Sequence, residues 1–410
     1  MDNSTFQLRL PKSKSIVNRI LMIEALSGKK ILCHDDDVTC DDTKVLLQAL
    51  LSNAAEIIDV KNSGTAMLFM TAYLAQKEGE WLLTGSETLK KRSIGELVRT
   101  LRKLGADIEF WESEDRLPLK IYGKQLKGGK ITVDASSNSQ FISALMLIAP
   151  LLPNGLAIKL EGTNSFPHLW LTKQIMGLCG AEVKLLQKII TISNKRYVPK
   201  LFSIESDWSA AVFWYGYLLV SNHKEIILKE ITKRSLQTDK IVKKIFNIFG
   251  IKSSIRMNYL FLEKEEKELP EIFEYDFGDY PDLVPIMVAV CCLKNIRFDF
   301  HGIENLRIKE NNCIQSLVIE ISKLGFILTE TRNSVGWDGE TCEMEPYPII
   351  DTHNDYRIAM VFALMMVKYN FKLLNPGATD KSYSNFWPDF ERAQEYLISA
   401  NGGKNISNVG

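Results

Sequence analysis

Between Pro11 and Arg19 the chain reads Pro-Lys-Ser-Lys-Ser-Ile-Val-Asn-Arg, three cations and three small polar side chains in nine residues. The segment opens an apolar stretch, Ile20 to Leu26, that reads as the first turns of a helix. Backbone N–H groups at a helix start lack intrahelical partners, and the dipole there favours negative charge. Lys12 and Lys14 can supply point charges, and Arg19 a fork suited to carboxylate or phosphate. Anion binding is one reading; a solvated basic turn capped by Ser15 is the other. Two further polar clusters have the same layout. Asn62-Ser-Gly64-Thr-Ala-Met67 feeds an apolar helical run, and its glycine lets backbone N–H groups approach a ligand closely. Asp134-Ala-Ser-Ser-Asn138-Ser139-Gln140-Phe141 opens another, with hydroxyls that can donate to phosphate oxygens. An ordinary turn with an N-cap explains either cluster equally well. Asp282, Lys309-Glu310, Asp355-Tyr-Arg357 and Lys381 are charges expected at element starts, not on mid-helix solvent faces.

The elements that must position these residues show a repeat. Helical patterns stop at a glycine and give way to a strand at Leu104-Gly105-Ala-Asp-Ile, Cys179-Gly180-Ala-Glu-Val, Phe249-Gly250-Ile and Leu324-Gly325-Phe-Ile. The glycines are spaced 75, 70 and 75 residues apart (105 to 180, 180 to 250, 250 to 325). Each reads as the glycine that follows a helix C-cap. Three have a strand-plus-glycine entry upstream: Leu83-Thr-Gly85, Leu160-Glu-Gly162 and Phe300-His-Gly302. The helix across Ile94 to Leu104 carries apolar residues at helical spacing. A fixed period of this length predicts an α/β unit repeated along the chain.

At 410 residues, two domains are expected. No Pro/Gly/Ser-rich linker divides the chain, and 401–410 reads as a frayed tail. Lys+Arg and Asp+Glu both number 50, so nothing suggests nucleic acid or an anionic membrane as partner. No apolar run reaches the roughly 18 residues of a membrane span. Residues 1–10 have no signal-peptide core, and seven cysteines without paired spacing fit a reducing, cytoplasmic setting. Four of those cysteines sit in apolar contexts that suggest core packing. Five unclustered histidines argue against a His-based metal site.

Taken in order, these signals resemble the 5-enolpyruvylshikimate-3-phosphate synthase family, from about Leu10 to Phe390. The specific stretches are Ser13-Lys14-Ser15-x-x-Asn18-Arg19, Asn62 to Met67, Leu306-Arg-Ile-Lys309-Glu310 and Asn354-Asp355-Tyr-Arg357-Ile-Ala-Met360. The resemblance implies an α/β fold of two similar globular domains, each built from three βαβαββ units, closing around substrates. One domain would hold residues 1–13 and 206–410, the other 14–205. The implied reaction moves the enolpyruvyl group of phosphoenolpyruvate onto a hydroxyl of shikimate 3-phosphate and releases phosphate. By matching position, Lys14, Asp282 and Glu310 would move protons. Lys14, Ser15, Arg19, Asn138, Ser139, Gln140, Ser165, Asp282, Asn305 and Lys309 would hold shikimate 3-phosphate. Lys14, Gly64, Arg92, Gln140, Arg357 and Lys381 would hold phosphoenolpyruvate. No metal or organic cofactor is implied, and a monomer acting on small molecules is expected.

Five positions depart from the family pattern. Cys313 stands where the family has an arginine clamp, Leu68 where it usually has Arg, and Asn138 where it has a phosphate-binding Ser. His168 replaces a Tyr and Tyr356 a His. A charge-assisted hydrogen bond is worth roughly 1.5–3 kcal/mol, so losing the arginine at 313 alone would weaken phosphoenolpyruvate binding about 10- to 100-fold. A second reading is therefore a non-catalytic paralogue that binds a phosphorylated ligand. A third is the sister enzyme acting on UDP-N-acetylglucosamine, which relies on a loop cysteine that the Thr84 to Ile94 stretch lacks.

Overall fold

The computed structural model describes residues 5–29, 37–52, 56–134, 139–162, 167–200, 203–308 and 312–400. The chain divides into two compact units. One comprises the described parts of Met1–Lys12, Glu205–Arg307 and Asn311–Gly410; the other is built on Ser13–Ile204.

Four four-stranded sheets, two per unit, share one layout. The sheet of Gly129–Asp134, Leu156–Glu161, Ile189–Ile192 and Val183–Leu186 shows how it arises. The first two strands run parallel, with Ile131 opposite Ile158 and Val133 opposite Leu160. Parallel neighbours need a crossover, supplied here by the Ser139–Ile148 helix. A second helix, Pro167–Leu178, then leads to a hairpin that pairs antiparallel with the second strand. Strand Leu156–Glu161 alternates buried and more exposed positions, so one sheet face is covered. Ile57–Asp59, Gly79–Thr84, Leu119–Gly123 and Asp107–Phe110 repeat this order in the same unit. Ile272–Asp276, Arg297–His301, Ser334–Trp337 and Thr329–Glu330 repeat it in the other.

The fourth sheet recruits the first strand of the chain. Phe6–Arg9 pairs parallel with Glu225–Lys229, with Phe6 opposite Ile226. Lys12 Nζ donates to Glu230 Oε2 at 2.8 Å across a separation of 218 residues and ties down the same end. Beyond these four βαβαββ arrangements, Ile349–Asp351 and Lys372–Leu374 form a two-stranded parallel pair around the Tyr356–Met365 helix. In the other unit the helices Lys14–Leu26 and Asp41–Leu51 occupy the remaining place, with no strand of their own among the described residues.

The repeated glycines behave as expected of helix stops. Gly105, Gly180, Gly250 and Gly325 all have φ between 82° and 101°, a region costly for other residues. The helices between sheets form the core of each unit. Trp208–Val220, Val284–Lys294 and Tyr356–Met365 are buried on nearly every side and pack on one another. Gly216 lets them approach: a Cβ there would meet Leu364, Ile286 and Val290 methyls at 3.1–3.2 Å. In the Ser13–Ile204 unit, Lys14–Leu26, Gly64–Gln76, Ser139–Ile148 and Pro167–Leu178 do the same.

Three local expectations need correction. The N-cap of the first helix is Ser13, not Ser15, and its hydroxyl makes no capping bond. Lys381 lies at the end of the short 3-10 helix Pro376–Lys381, not at an element start. Among the described residues Cys40, Cys179, Cys291, Cys292 and Cys313 are buried, so core packing extends beyond the four whose apolar contexts suggested it. No helix among the described residues is long and apolar enough to cross a membrane.

Candidate active site

In the Ser13–Ile204 unit, the basic first helix turns two of its cations inward. Lys14 Nζ lies 3.1 Å from Asp42 Oδ2, with the two side chains 17% and 8% exposed. Asp42 stands in the first turn of the Asp41–Leu51 helix, where the dipole favours a carboxylate. One turn after Lys14, Arg19 is almost wholly buried. Its Nε donates to Thr172 Oγ1 at 2.7 Å, its Nη1 to the Ser15 carbonyl at 2.8 Å, and its Nη2 to Ser143 Oγ at 3.4 Å. The Phe69 ring lies 5.9 Å from the guanidinium. Every one of these partners is neutral, and among the described residues no carboxylate forms an ion pair with Arg19. Burial lowers its pKa from the ordinary arginine value to about 10.

Arg19 is thus a buried cation held by neutral acceptors, and its desolvation is a cost that folding bears. Arg19→Met is therefore expected to leave the ligand-free protein as stable as before, or more stable by up to about 4 kcal/mol. Thr172 Oγ1 and Ser143 Oγ already bond each other at 3.0 Å, so removing the guanidinium orphans neither hydroxyl. Thermal unfolding checks this, and a marked drop in Tm would show that Arg19 is a structural support. The sign in pH follows from the depressed pKa. Below pH 10 both folded and unfolded states hold the proton, and folding bears the burial cost. Above about pH 10 the folded state gives up the proton before the unfolded state does, and that cost lessens.

Nearby helix starts carry the other polar clusters. Ser63 caps the Gly64–Gln76 helix, its Oγ accepting the Ala66 N–H at 3.3 Å, so the plain capping role holds for this residue. Thr65 Oγ1, in that first turn, donates to Gln140 Oε1 at 2.9 Å, joining the second cluster to the third. Gly64 is buried at the helix start, and Leu68 is buried in the same helix. Arg92 follows the short Glu87–Lys90 helix and is half-buried. His168 is half-buried in the first turn of Pro167–Leu178, where its carbonyl accepts from Thr172 Oγ1 at 2.8 Å.

The other unit brings together Asp282, Asp355, Arg357 and Cys313. Asp355 is the N-cap of the Tyr356–Met365 helix, and its Oδ1 accepts the Arg357 backbone N–H at 2.9 Å. The same oxygen accepts Arg357 Nε at 2.9 Å, and Oδ2 accepts Nη2 in a short contact. This is a bidentate fork, the strong form of an arginine–carboxylate pair. The remaining arm, Nη1, donates to Asp282 Oδ1 at 2.9 Å. Burial by itself lowers the Arg357 pKa, but the charges of Asp355, the Cys313 thiol and Asp282 together with the Asp355 hydrogen bond hold it well above its ordinary value. Asp282 sits in the 3-10 turn Pro281–Leu283 with its side chain 30% exposed. Cys313 is fully buried in the first turn of the Cys313–Ser322 helix, close enough to feel the Arg357 charge. Tyr356 packs its ring 5.8 Å from the Arg357 guanidinium. Asn305, in Glu304–Ile308, and Lys381 are half-buried.

Asn138, Ser165, Lys309 and Glu310 lie outside the described residues, and Ser139 is described only as the first residue of its helix. Sequence reasoning missed Asp42, Ser143 and Thr172, each a partner of a residue it had singled out. Asp42 had a visible signal, an Asp-Asp pair at a helix start; the other two are ordinary helix residues. No group of three His, Cys, Asp or Glu side chains that could hold a metal ion occurs among the described residues.

Two α/β units of repeated βαβαββ layout carry cations at helix starts, an arrangement suited to small anions. The chain belongs to the EPSP synthase (3-phosphoshikimate 1-carboxyvinyltransferase) family, whose model matches residues 35–390. A 3-phosphoshikimate 1-carboxyvinyltransferase of Bacteroides fragilis is 39% identical over 391 residues, with 94% of each chain covered. One of Aliivibrio salmonicida is 30% identical, covering 96% of this chain and 97% of its own. An EPSP synthase structure from Acinetobacter baumannii has the same fold, with a TM-score of 0.69 at 19% identity and 96% of each chain covered. The activity of the family is enolpyruvyl transfer in the shikimate pathway of aromatic amino acid biosynthesis, and this chain is a transferase of that kind.

Proposed function

We propose that the residues described above carry out that transfer, from phosphoenolpyruvate to shikimate 3-phosphate, in the following roles. Protonating the methylene carbon of phosphoenolpyruvate makes the adjacent carbon electrophilic. The shikimate hydroxyl attacks there as it loses its proton, and the tetrahedral species expels phosphate while a methyl proton departs. Asp282 takes the hydroxyl proton; Lys14 and Glu310 deliver and remove the proton at the methylene. Arg19, with Ser15, Asn138, Ser139, Gln140, Ser165, Asn305 and Lys309, holds shikimate 3-phosphate. Arg357, with Gly64, Arg92, Gln140 and Lys381, holds phosphoenolpyruvate.

The observation that carries this reading is the Asp282–Arg357 pair: a partly exposed carboxylate is joined to a guanidinium whose other arms are already fixed by Asp355. A base and an anion clamp are thereby held at hydrogen-bond distance, as attack on a bound carboxylate-bearing alkene requires. Arg19, buried and held by neutral acceptors at a helix start, supports a second anion site. The protein is taken to act as a cytoplasmic monomer. Phosphate release by purified protein given both substrates tests the reading. Release that needs both supports it, whereas ligand binding without release favours a non-catalytic paralogue, the outcome that Cys313 and Leu68 would explain.

A further inference from the structure

One buried carboxylate near the Arg357 cluster has no part in the roles above. Glu320 lies in the Cys313–Ser322 helix with its side chain 3% exposed. Its Oε1 accepts from His353 Nε2 at 2.9 Å. Its Oε2 accepts Lys323 Nζ at 2.7 Å and the Asp351 backbone N–H at 3.1 Å. Two of these three partners belong to one segment, the turn that joins strand Ile349–Asp351 to the Tyr356–Met365 helix.

That turn has an unusual shape. His353 and Asn354 are consecutive residues with φ of 50° and 54°, a left-handed pair that side-chain-bearing residues rarely adopt. A backbone of this kind persists only where its surroundings over-determine it. The determinants are visible. Asp351 Oδ1 accepts the His353 N–H at 2.8 Å, and Thr352 Oγ1 donates to the Asn375 carbonyl at 3.0 Å. The Asp355 N–H donates to the Thr352 carbonyl at 2.8 Å, which closes the turn. Asp355 then forks Arg357, and Arg357 reaches Asp282. A continuous chain of contacts therefore runs from Glu320 to the guanidinium. Glu320 grips both the start of the turn, at Asp351, and its left-handed centre, at His353.

We propose that Glu320 is a positioning residue: its buried carboxylate holds the 351–355 turn in the shape that sets Arg357 against Asp282 and at phosphoenolpyruvate. The proposal rests on Arg357 holding phosphoenolpyruvate. A guanidinium displaced by as little as 1 Å by a remote change can lose about 100-fold in rate or affinity.

The test compares Glu320→Ala, Glu320→Gln and His353→Asn with the unsubstituted protein. Gln keeps acceptors for Lys323 and the Asp351 N–H. Asn tolerates positive φ but removes the imidazole that Glu320 holds. Two readouts are made: amide hydrogen exchange of the 349–357 segment, and KM for each substrate. In Glu320→Ala the segment should exchange faster and KM for phosphoenolpyruvate rise about 10- to 100-fold, while KM for shikimate 3-phosphate rises far less. Glu320→Gln should restore most of both, and His353→Asn should fall between. Unchanged exchange in Glu320→Ala and His353→Asn, or equal rises in both KM values, overturns the proposal. Should Glu320→Ala fail to fold, His353→Asn decides it by the same criteria. If the unsubstituted protein releases no phosphate, the functional reading fails separately, while the exchange measurement still decides whether Glu320 holds the turn.

Discussion

Asp282→Asn is expected to lower kcat for phosphate release by about 10²- to 10⁴-fold, the range a positioned general base contributes. The substitution is nearly isosteric. An asparagine Oδ1 at this position still accepts from Arg357 Nη1, now at 2.9 Å from the Asp282 oxygen, so the guanidinium keeps its place. What is lost is the ability to accept a proton from the attacking hydroxyl. Binding of shikimate 3-phosphate, followed by calorimetry, should therefore survive while turnover collapses. Full activity in Asp282→Asn would remove this residue from the mechanism, and loss of binding with turnover would recast it as a clamp.

Arg357→Ala should have the largest effect on stability. It takes the two-armed fork from the Asp355 carboxylate, 6% exposed, and the Nη1 hydrogen bond from Asp282. Removing one member of a buried ion pair typically costs about 3–5 kcal/mol, because the surviving charge is stranded in a poorly solvated place. Denaturant unfolding should show that loss at neutral pH. Lowering the pH should recover part of it, since protonating Asp355 cancels the stranded charge in the variant alone. Arg357→Lys should restore the charge but not the two-armed geometry, so its stability falls between the two. A variant as stable as the parent would mean that Asp355 finds another partner. If Arg357 also clamps phosphoenolpyruvate, KM for that substrate rises in both variants.

The sequence reading and the structure agree where the physics is local. Helix stops at Gly105, Gly180, Gly250 and Gly325 were legible because a chain that leaves a helix in the left-handed region needs glycine, and the constant period then exposed the repeated βαβαββ layout. Helix-start clusters at Lys14, Gly64 and Arg357 were legible for the same reason, since small polar residues before an apolar run mark the start of a helix. Pairings across the chain were not. Arg19 meets Thr172 across 153 positions and Asp282 meets Arg357 across 75, and no spacing rule reaches so far. Burial was also hidden: Arg19 reads as a surface cation in the sequence, and only the surrounding helices show that its guanidinium is shut away from water. Glu320 was invisible for a related reason. A glutamate in an amphipathic helix has the same appearance whether it meets solvent or a left-handed turn.

The parallel pairing of Phe6–Arg9 with Glu225–Lys229 has a consequence for biosynthesis. A ribosome adding about 5–20 residues per second makes the first strand long before the segment that receives it. Lys12 must wait for Glu230, 218 positions later, which is a delay of roughly ten to forty seconds at that pace. During the wait the Ser13–Ile204 unit can collapse on its own, because all of its sheet partners have already emerged. The unpaired leading strand meanwhile presents Phe6, Leu8 and Leu10, later core residues, as an open sticky edge. Nascent-chain capture by a chaperone is thus favoured in that interval, and bulky fusions ahead of Phe6 should impair the late-forming unit more than the early one.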